Sequence, residues 1–322
     1  MAKYIAKRIG LMIVSFFLIM TICFTLVRLL PNPVQEVQGD FAEATRQMRE
    51  AWGYNKPIMV QYGIFLKNIV TKFDWGFCTT VGPYLNPVTS YLADKFPATI
   101  LVNVFAMIFS VPLGILFGIY AALKKNKWQD QVISVVIMLF ISVPNYIYAF
   151  VVQYFLGFKL GLFPLVMKSG TDWLSPAMLK SIALPVIALS FATMAGLMRY
   201  TRAELTETLT SEYMLLARTK GLTHSQATFR HALRNSMVPI LPMIISEFVL
   251  ILSGSFVIEQ IFAVPGVGKV MLAAINNRDY SLFIATCMFY VAISLSASIF
   301  IDISYGFIDP RIRIGGGKNN ER

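Results

Sequence analysis

Residues 212–239, EYMLLARTKGLTHSQATFRHALRNSMVP, form a long, basic, polar island between two apolar stretches. Arg218, Lys220, Arg230 and Arg234 give four cations between residues 218 and 235, with no acid among them. Catalysis by a side chain needs a nucleophile within reach of a base, and metal binding needs clustered ligands. His224 and His231, the two histidines, stand seven apart without a carboxylate or thiol partner, so no metal site is expected. No G-x-x-x-x-G-K-[ST] phosphate loop occurs, and the Gly-Lys pair in the GGGKNN tail lacks the following Ser or Thr. The run Leu252, Ser253, Gly254, Ser255 echoes an ATPase signature faintly but lies inside an apolar stretch. Docking is the chemistry that remains. Ala217 and Gly221, four apart, are small enough for a tight turn and close approach by another protein. Leu215, Leu216 and Leu222 would anchor it, and Arg218 and Lys220 would meet acidic surface. An inner loop of solvated charge would account for the cations but not for the leucines.

The rest of the chain sets where such a surface can stand. Of 322 residues, 56% are hydrophobic and 14% charged, and mean hydropathy is +0.63. A helix needs about 20 apolar residues to cross a bilayer. Six stretches qualify, at about 9–30, 98–123, 132–156, 181–201, 237–261 and 282–307. Unpaired backbone groups are not tolerated in lipid, so the expected fold is an all-α polytopic membrane protein with six transmembrane helices. The net charge of +11 sits in loops flanking these spans, which argues against a nucleic-acid partner. With the N-terminus cytoplasmic, the inner segments hold 16 Lys and Arg and the longer outer segments 11. That bias predicts both termini inside. Residues 1–30 are read as an uncleaved first span with a short cytoplasmic start, since no small-residue cleavage site follows the apolar run. Residues 31–97 form an extracytoplasmic subdomain packed on the spans. Residues 98–307 form the five-span core, including an inner loop at 203–236, and residues 308–322 a cytoplasmic tail. The cysteines, Cys23, Cys78 and Cys287, are scattered and imply no disulfide framework.

Polar groups inside apolar spans are costly and therefore informative. Asn103, Asn145, Glu247 and Ser253 are the candidates for lining a path through the membrane. For Glu247 the competing reading is a structural pairing. Asp302 reads as a local hydrogen-bonding group and Arg28 as a side chain snorkelling to the headgroups. Gly114 and Gly118 have the spacing that lets helices approach closely.

Several segments in order carry a family resemblance. ARTKGL followed by RHALRNSMVP is similar to the cytoplasmic loop of permease subunits in ABC importers, within the dipeptide, oligopeptide and nickel branch and its oligopeptide-permease B type. KYIAKRIGLMI, RLLPNP, GYNKPIMVQY, FPATILVNV, PLGILFGIYAALKKNKWQDQ, VIEQIFAVPGVGK, NRDY and DPRIR extend the likeness over nearly the whole chain. The resemblance implies the type I importer membrane fold. The loop around Ala217 and Gly221 would be a coupling helix seated in a cytoplasmic ATPase. It also implies a second homologous permease, two ATPase subunits that bind the ATP and Mg, and an extracytoplasmic peptide-binding protein. This chain would bind no cofactor and would not itself be an enzyme. Glu259, Pro265, Gly266 and Gly268 match outer-face positions, to which the resemblance gives a structural role in shaping the gate.

The motif departs from the general one. Leu215 and Leu216 stand where Glu and Ala are usual, the nearest acid is Glu212, and the expected proline comes only at Pro239. Peptide import across the bacterial plasma membrane is the leading expectation. Nickel chelates or glutathione fit the same architecture. A self-contained secondary transporter would need inverted repeats or an ion-coupling site. A membrane-embedded enzyme would need catalytic residues the chain lacks.

Overall fold

The computed structural model describes residues 2–30, 42–250 and 254–308, and only the helical backbone of residues 2–4 and 305–308. Sixteen helices follow one another among the described residues. They are α1 (Ala2–Leu29), α2 (Ala42–Ala51), α3 (Ile58–Lys72), α4 (Val88–Ala93), α5 (Phe96–Leu123), α6 (Trp128–Ser142), α7 (Asn145–Val152) and α8 (Pro176–Ser181). After them come α9 (Ala183–Leu209), α10 (Glu212–Thr219), α11 (His224–Ala227), α12 (Leu233–Ser236), α13 (Ile240–Leu250), α14 (Phe256–Ile261), α15 (Val267–Asn276) and α16 (Tyr280–Ile308). Wide π-type turns continue α7 over Gln153–Lys159 and join α11 to α12 over Thr228–Ala232. No strand occurs among the described residues, which leave a single antiparallel bridge between Phe77 and Pro87.

Four helices are long and apolar enough to cross a membrane, and the number reaches six when two bent pairs each count as one span. The chain is thus a multi-pass membrane protein. The third expected span is not one straight helix: α6 and α7 meet at 104°. Pro144 disfavours helical backbone at the preceding residue, and Val143 is accordingly extended, with φ −95° and ψ 128°. The fifth expected span is bent by 54° between the α11–α12 segment and α13. Past residue 250 its expected course enters residues 251–253, outside the description, and α14 follows as a separate short helix. The fourth span runs on to Leu209, so the first residues of the expected inner loop are still helix.

The α5–α9 pair is the spine of the molecule, and glycine makes it possible. A Cβ on Gly114 would stand 2.8 Å from Leu197 Cβ, and one on Gly118 would stand 2.6 Å from Thr201 Cβ. The spacing expected to pack helices does so here. The spine joins two buried clusters. Ala98 and Leu101 lie in one with Leu184, Ile258 and Phe262, and Ala122 lies in the other with Leu205, Met214 and Ala217. Ala98 and Ala122 are separated by about 36 Å at 1.5 Å per helical residue. These two helices run directly from one cluster to the other.

Residues 42–97 lean on α1 and α16. Met20, Phe24, Trp52, Phe65, Ile284 and Met288 form one buried cluster. Arg28 does more than reach for headgroups: its guanidinium lies over Tyr54 at 4.1 Å and over Phe24 at 5.1 Å. That cation–π contact ties α1 to the turn after α2. Asp302 pairs with Arg8 at 3.1 Å, joining α16 to α1 instead of making a purely local bond. Cys23 and Cys287 also meet across these helices, with sulfurs 3.6 Å apart. Mild oxidation of the membrane-embedded protein should link them, read as an intact-mass loss of two hydrogens that thiol reduction restores. Failure to link would mean that α1 packs elsewhere.

Candidate functional site

Three sites emerge, one at each end of the spine and one between. At the first, Ser211 begins α10 and Met214 and Ala217, three apart, turn inward onto Leu205, Ala122, Ala227 and Ala232. Ala217 is buried at 7% exposure, which corrects the expectation for it. Its small side chain permits close packing within the chain and offers nothing to another protein. Leu222 is likewise half-buried against this cluster. Leu215 and Leu216 remain outward, at 65% and 55% exposure, with Arg218 and Lys220 exposed beside them. Tyr213 and Phe229, which the sequence reading passed over, extend the exposed apolar face. On α10 residues 215 and 216 lie opposite 214 and 217, and Tyr213 sits at the edge of that outward face.

Gly221 closes α10. Its amide donates to the Arg218 carbonyl at 3.0 Å, and the Leu222 amide donates to the Ala217 carbonyl at 3.3 Å. This is the Schellman arrangement, which places Gly221 at φ +92°, where glycine is favoured. Thr223 and Gln226 then form a reciprocal capping box that starts α11. The outcome is a rigid helix–turn–helix that holds Leu215 and Leu216 outward.

A buried ion pair braces the same end. Asp130, 2% exposed, accepts from Arg202 Nη2 at 2.9 Å and from the Asn126 amide at 3.0 Å, and Arg202 Nε also donates to it. It fixes the α5–α6 turn to α9 seven residues before α9 ends. The sequence reading missed it, because an isolated acid among KKNKWQDQ looks solvated.

The second site is a cavity of about 140 Å³ among α5, α7, α9 and α13. Asn103, Asn145 and Glu247 line it together, so three of the four expected path residues share one space. Ser253, the fourth, lies outside the described residues.

At the third site Glu259, 3% exposed, fills a cradle between α5, α14 and α15. Its Oε1 accepts from Thr99 Oγ1 at 2.9 Å and its Oε2 from the Lys269 amide at 2.9 Å. The Gly268 and Ser255 amides also donate to it. Thr99 Oγ1 in turn accepts from the Val267 amide at 2.9 Å. The first three amides of α15 are thus capped by side chains from two other helices, where orphan N–H groups and the helix dipole favour an anion. Glycine lets the backbone come this near. A Cβ on Gly266 would stand 2.6 Å from Glu259 Cδ, and one on Gly268 would stand 2.8 Å from the Phe256 backbone. Pro265 is exposed and outside the cradle.

Fold and sites define a multi-pass helical membrane protein with a polar cavity among its spans, a rigid exposed turn at one end and a capped carboxylate at the other. Residues 114–314 match the family described as binding-protein-dependent transport system inner membrane component, and residues 1–103 match its N-terminal membrane-component family. The chain belongs to this family of transport-system membrane components. It is 35% identical over 315 residues to the dipeptide transport system permease protein DppB of Lactococcus lactis subsp. cremoris, covering 98% of this chain and 100% of that one. The DppB of Bacillus subtilis is 33% identical, with 98% and 99% covered. The oligopeptide transport system permease protein OppB of Haemophilus influenzae is 31% identical, with 97% and 100% covered.

Proposed function

We propose that this chain is a permease subunit of an ATP-driven peptide importer in the bacterial plasma membrane, with both termini cytoplasmic. The relatives' names support peptide as cargo. The observation that carries the mechanism is the rigid α10 turn, which displays two leucines to solvent while anchoring Met214 and Ala217 in the chain. Exposed apolar surface rimmed by cations fits a cleft on another protein. We assign that cleft to a cytoplasmic ATPase. The nucleotide and its Mg would be bound there, and this chain would hold neither.

Motion delivered to Leu215 and Leu216 has a stiff route inward. Met214 and Ala217 press on Leu205 of α9 and Ala122 of α5, and Asp130 with Arg202 stops α6 from lagging behind. The spine then moves as a unit and carries the walls of the Asn103–Glu247 cavity with it. A second, homologous permease would complete the path, driven by the second ATPase. An extracytoplasmic binding protein would deliver the peptide to the end that bears Glu259.

Substitutions at Gly221 test the coupling. The position has open space within 4 Å of where a Cβ would stand, so a side chain meets torsional strain and no clash. Gly221→Ala should therefore cost only about 1 kcal/mol and leave most transport intact. Gly221→Arg adds bulk where the ATPase must approach. It should abolish ATP-driven uptake by the reconstituted complex while the chain stays in the membrane. Normal uptake with Gly221→Arg would remove the coupling role, and uptake without ATP would remove the importer reading altogether.

A further inference from the structure

The Asn103–Glu247 cavity has a composition that specifies its ligand. Among the described residues Glu247 is the one charged residue lining it, and its carboxylate accepts a hydrogen bond from Thr193. No Lys, Arg or His among the described residues lines the cavity to balance it. Asn103 Nδ2 donates to the Thr99 carbonyl at 2.8 Å. A carbonyl can only accept, so this bond fixes the amide orientation and leaves the Asn103 side-chain oxygen, beside one remaining Nδ2 hydrogen, for the cavity. A carboxylate and an amide oxygen, carried by α13 and α5, therefore offer acceptors to the same space. At about 140 Å³ it has ample room, since one water needs about 10–15 Å³ of such volume.

A carboxylate in a membrane span without a cation is expensive, and such residues mark substrate pathways. The group that answers two acceptors and one negative charge is a compact cation with several N–H donors. We infer that this cavity binds the protonated amino terminus of a peptide as it passes through the permease. The inference rests on the peptide-import reading above and deepens it. An α-ammonium is common to peptides of any sequence, so a site that reads it would select peptides as a class and tolerate their side chains. Asn145, on α7 just after the Pro144 break, lies on the cavity wall and would move relative to Glu247 if the α6–α7 angle changed. Binding and release would then follow the motion of the spans.

The test uses the purified complex of both permeases and both ATPases, without the binding protein, so that the cavity alone reports. Saturation-transfer NMR, suited to weak binding, would be run with alanyl-alanine and with N-acetyl-alanyl-alanine. The free-amine probe should give a signal that Glu247→Gln lowers about tenfold, the loss of one charge-assisted hydrogen bond. The acetylated probe should give a weak signal that the substitution leaves alone. Glu247→Asp, which keeps the charge, should retain part of the binding. Equal signals from the two probes, no signal from the wild type, or indifference to Glu247→Gln would each overturn the inference. So would loss of the second permease from the Glu247→Gln complex, which would place the countercharge on that subunit. ATP-driven uptake of alanyl-alanine by the wild-type complex with its binding protein is measured in parallel. Uptake with a negative NMR result defeats only the ammonium site, whereas absence of uptake defeats the peptide-import reading beneath it.

Discussion

Asp279→Ala should release residues 79–81 from the membrane core and expose Cys78. Asp279 is fully buried, and its Oδ2 accepts from the amides of Thr79 at 2.7 Å, Thr80 at 2.9 Å and Val81 at 3.2 Å. Its Oδ1 accepts from Leu282 at 3.3 Å, which makes the same side chain the N-terminal cap of α16. One carboxylate thus pins a segment some 200 residues away to the start of the last span. Truncation removes the acceptor from all four amides. At about 1–3 kcal/mol for each buried group left unsatisfied, and with partial rescue by water, the loss should reach about 4 kcal/mol. Asp279→Asn keeps one acceptor oxygen and should cost roughly half as much.

Cys78 is the natural reporter, since it is buried beside this junction. Burial and the nearby Asp279 charge push its thiol up to about 12, so it holds almost no thiolate at neutral pH. Reactivity follows thiolate fraction and access. In a background where Cys23 and Cys287 are serine, maleimide should leave wild-type Cys78 unlabelled and label the Asp279→Ala protein readily. An unreactive Cys78 in that variant would show that the segment is held by its apolar contacts with Val88, Leu92 and Leu282 instead.

What the sequence could disclose depended on whether a feature was local. The spans were legible because apolar runs of sufficient length are a local property. The break between α6 and α7 was only half legible: Pro144 announces a kink, but the 104° angle is set by what the two helices pack against. Asn103, Asn145 and Glu247 each stood out as polar groups in apolar runs. That they share one cavity depends on how α5, α7 and α13 assemble, and no spacing rule spans 144 residues. Asp130 and Asp279 were illegible for the opposite reason. Each looks like an ordinary loop acid, and its burial is supplied by partners 72 and about 200 residues distant. At Ala217 smallness alone could not say which surface the residue serves. The helical phase with Met214 decides it, and it points inward.

Glu259→Gln should destabilise the end of the molecule opposite α10 although it changes one atom. Four donors and no acceptor face this carboxylate: the Thr99 hydroxyl and the amides of Lys269, Gly268 and Ser255. A carboxylate satisfies all four by accepting at both oxygens, with Thr99 Oγ1 receiving the Val267 amide while it gives its own proton to Glu259. Glutamine turns an NH2 either toward the start of α15, where it sets donor against donor, or toward Thr99, whose hydroxyl must then rotate away and give up its own bond. The expected cost is about 2–3 kcal/mol, one buried bond lost and one group left unpaired. The surrounding glycines rank themselves by what a methyl would strike. At Gly268 it meets the Phe256 backbone, which cannot yield, so Gly268→Ala should be the most damaging. At Gly254 it meets a Glu259 oxygen at 2.5 Å from a φ of +61°, so strain and displacement both act. Pro265→Ala, on exposed chain, should be silent. Thermal unfolding of the detergent-purified protein would order these variants. The double variant with Thr99→Val should lose less than the sum of the single losses, since both act on one network. Simple additivity would mean that the two side chains cap α15 independently. Uptake per folded molecule then separates a staple from a gate. A staple lowers only the amount of folded protein, whereas a cradle that must open and close would alter the rate of every molecule that remains.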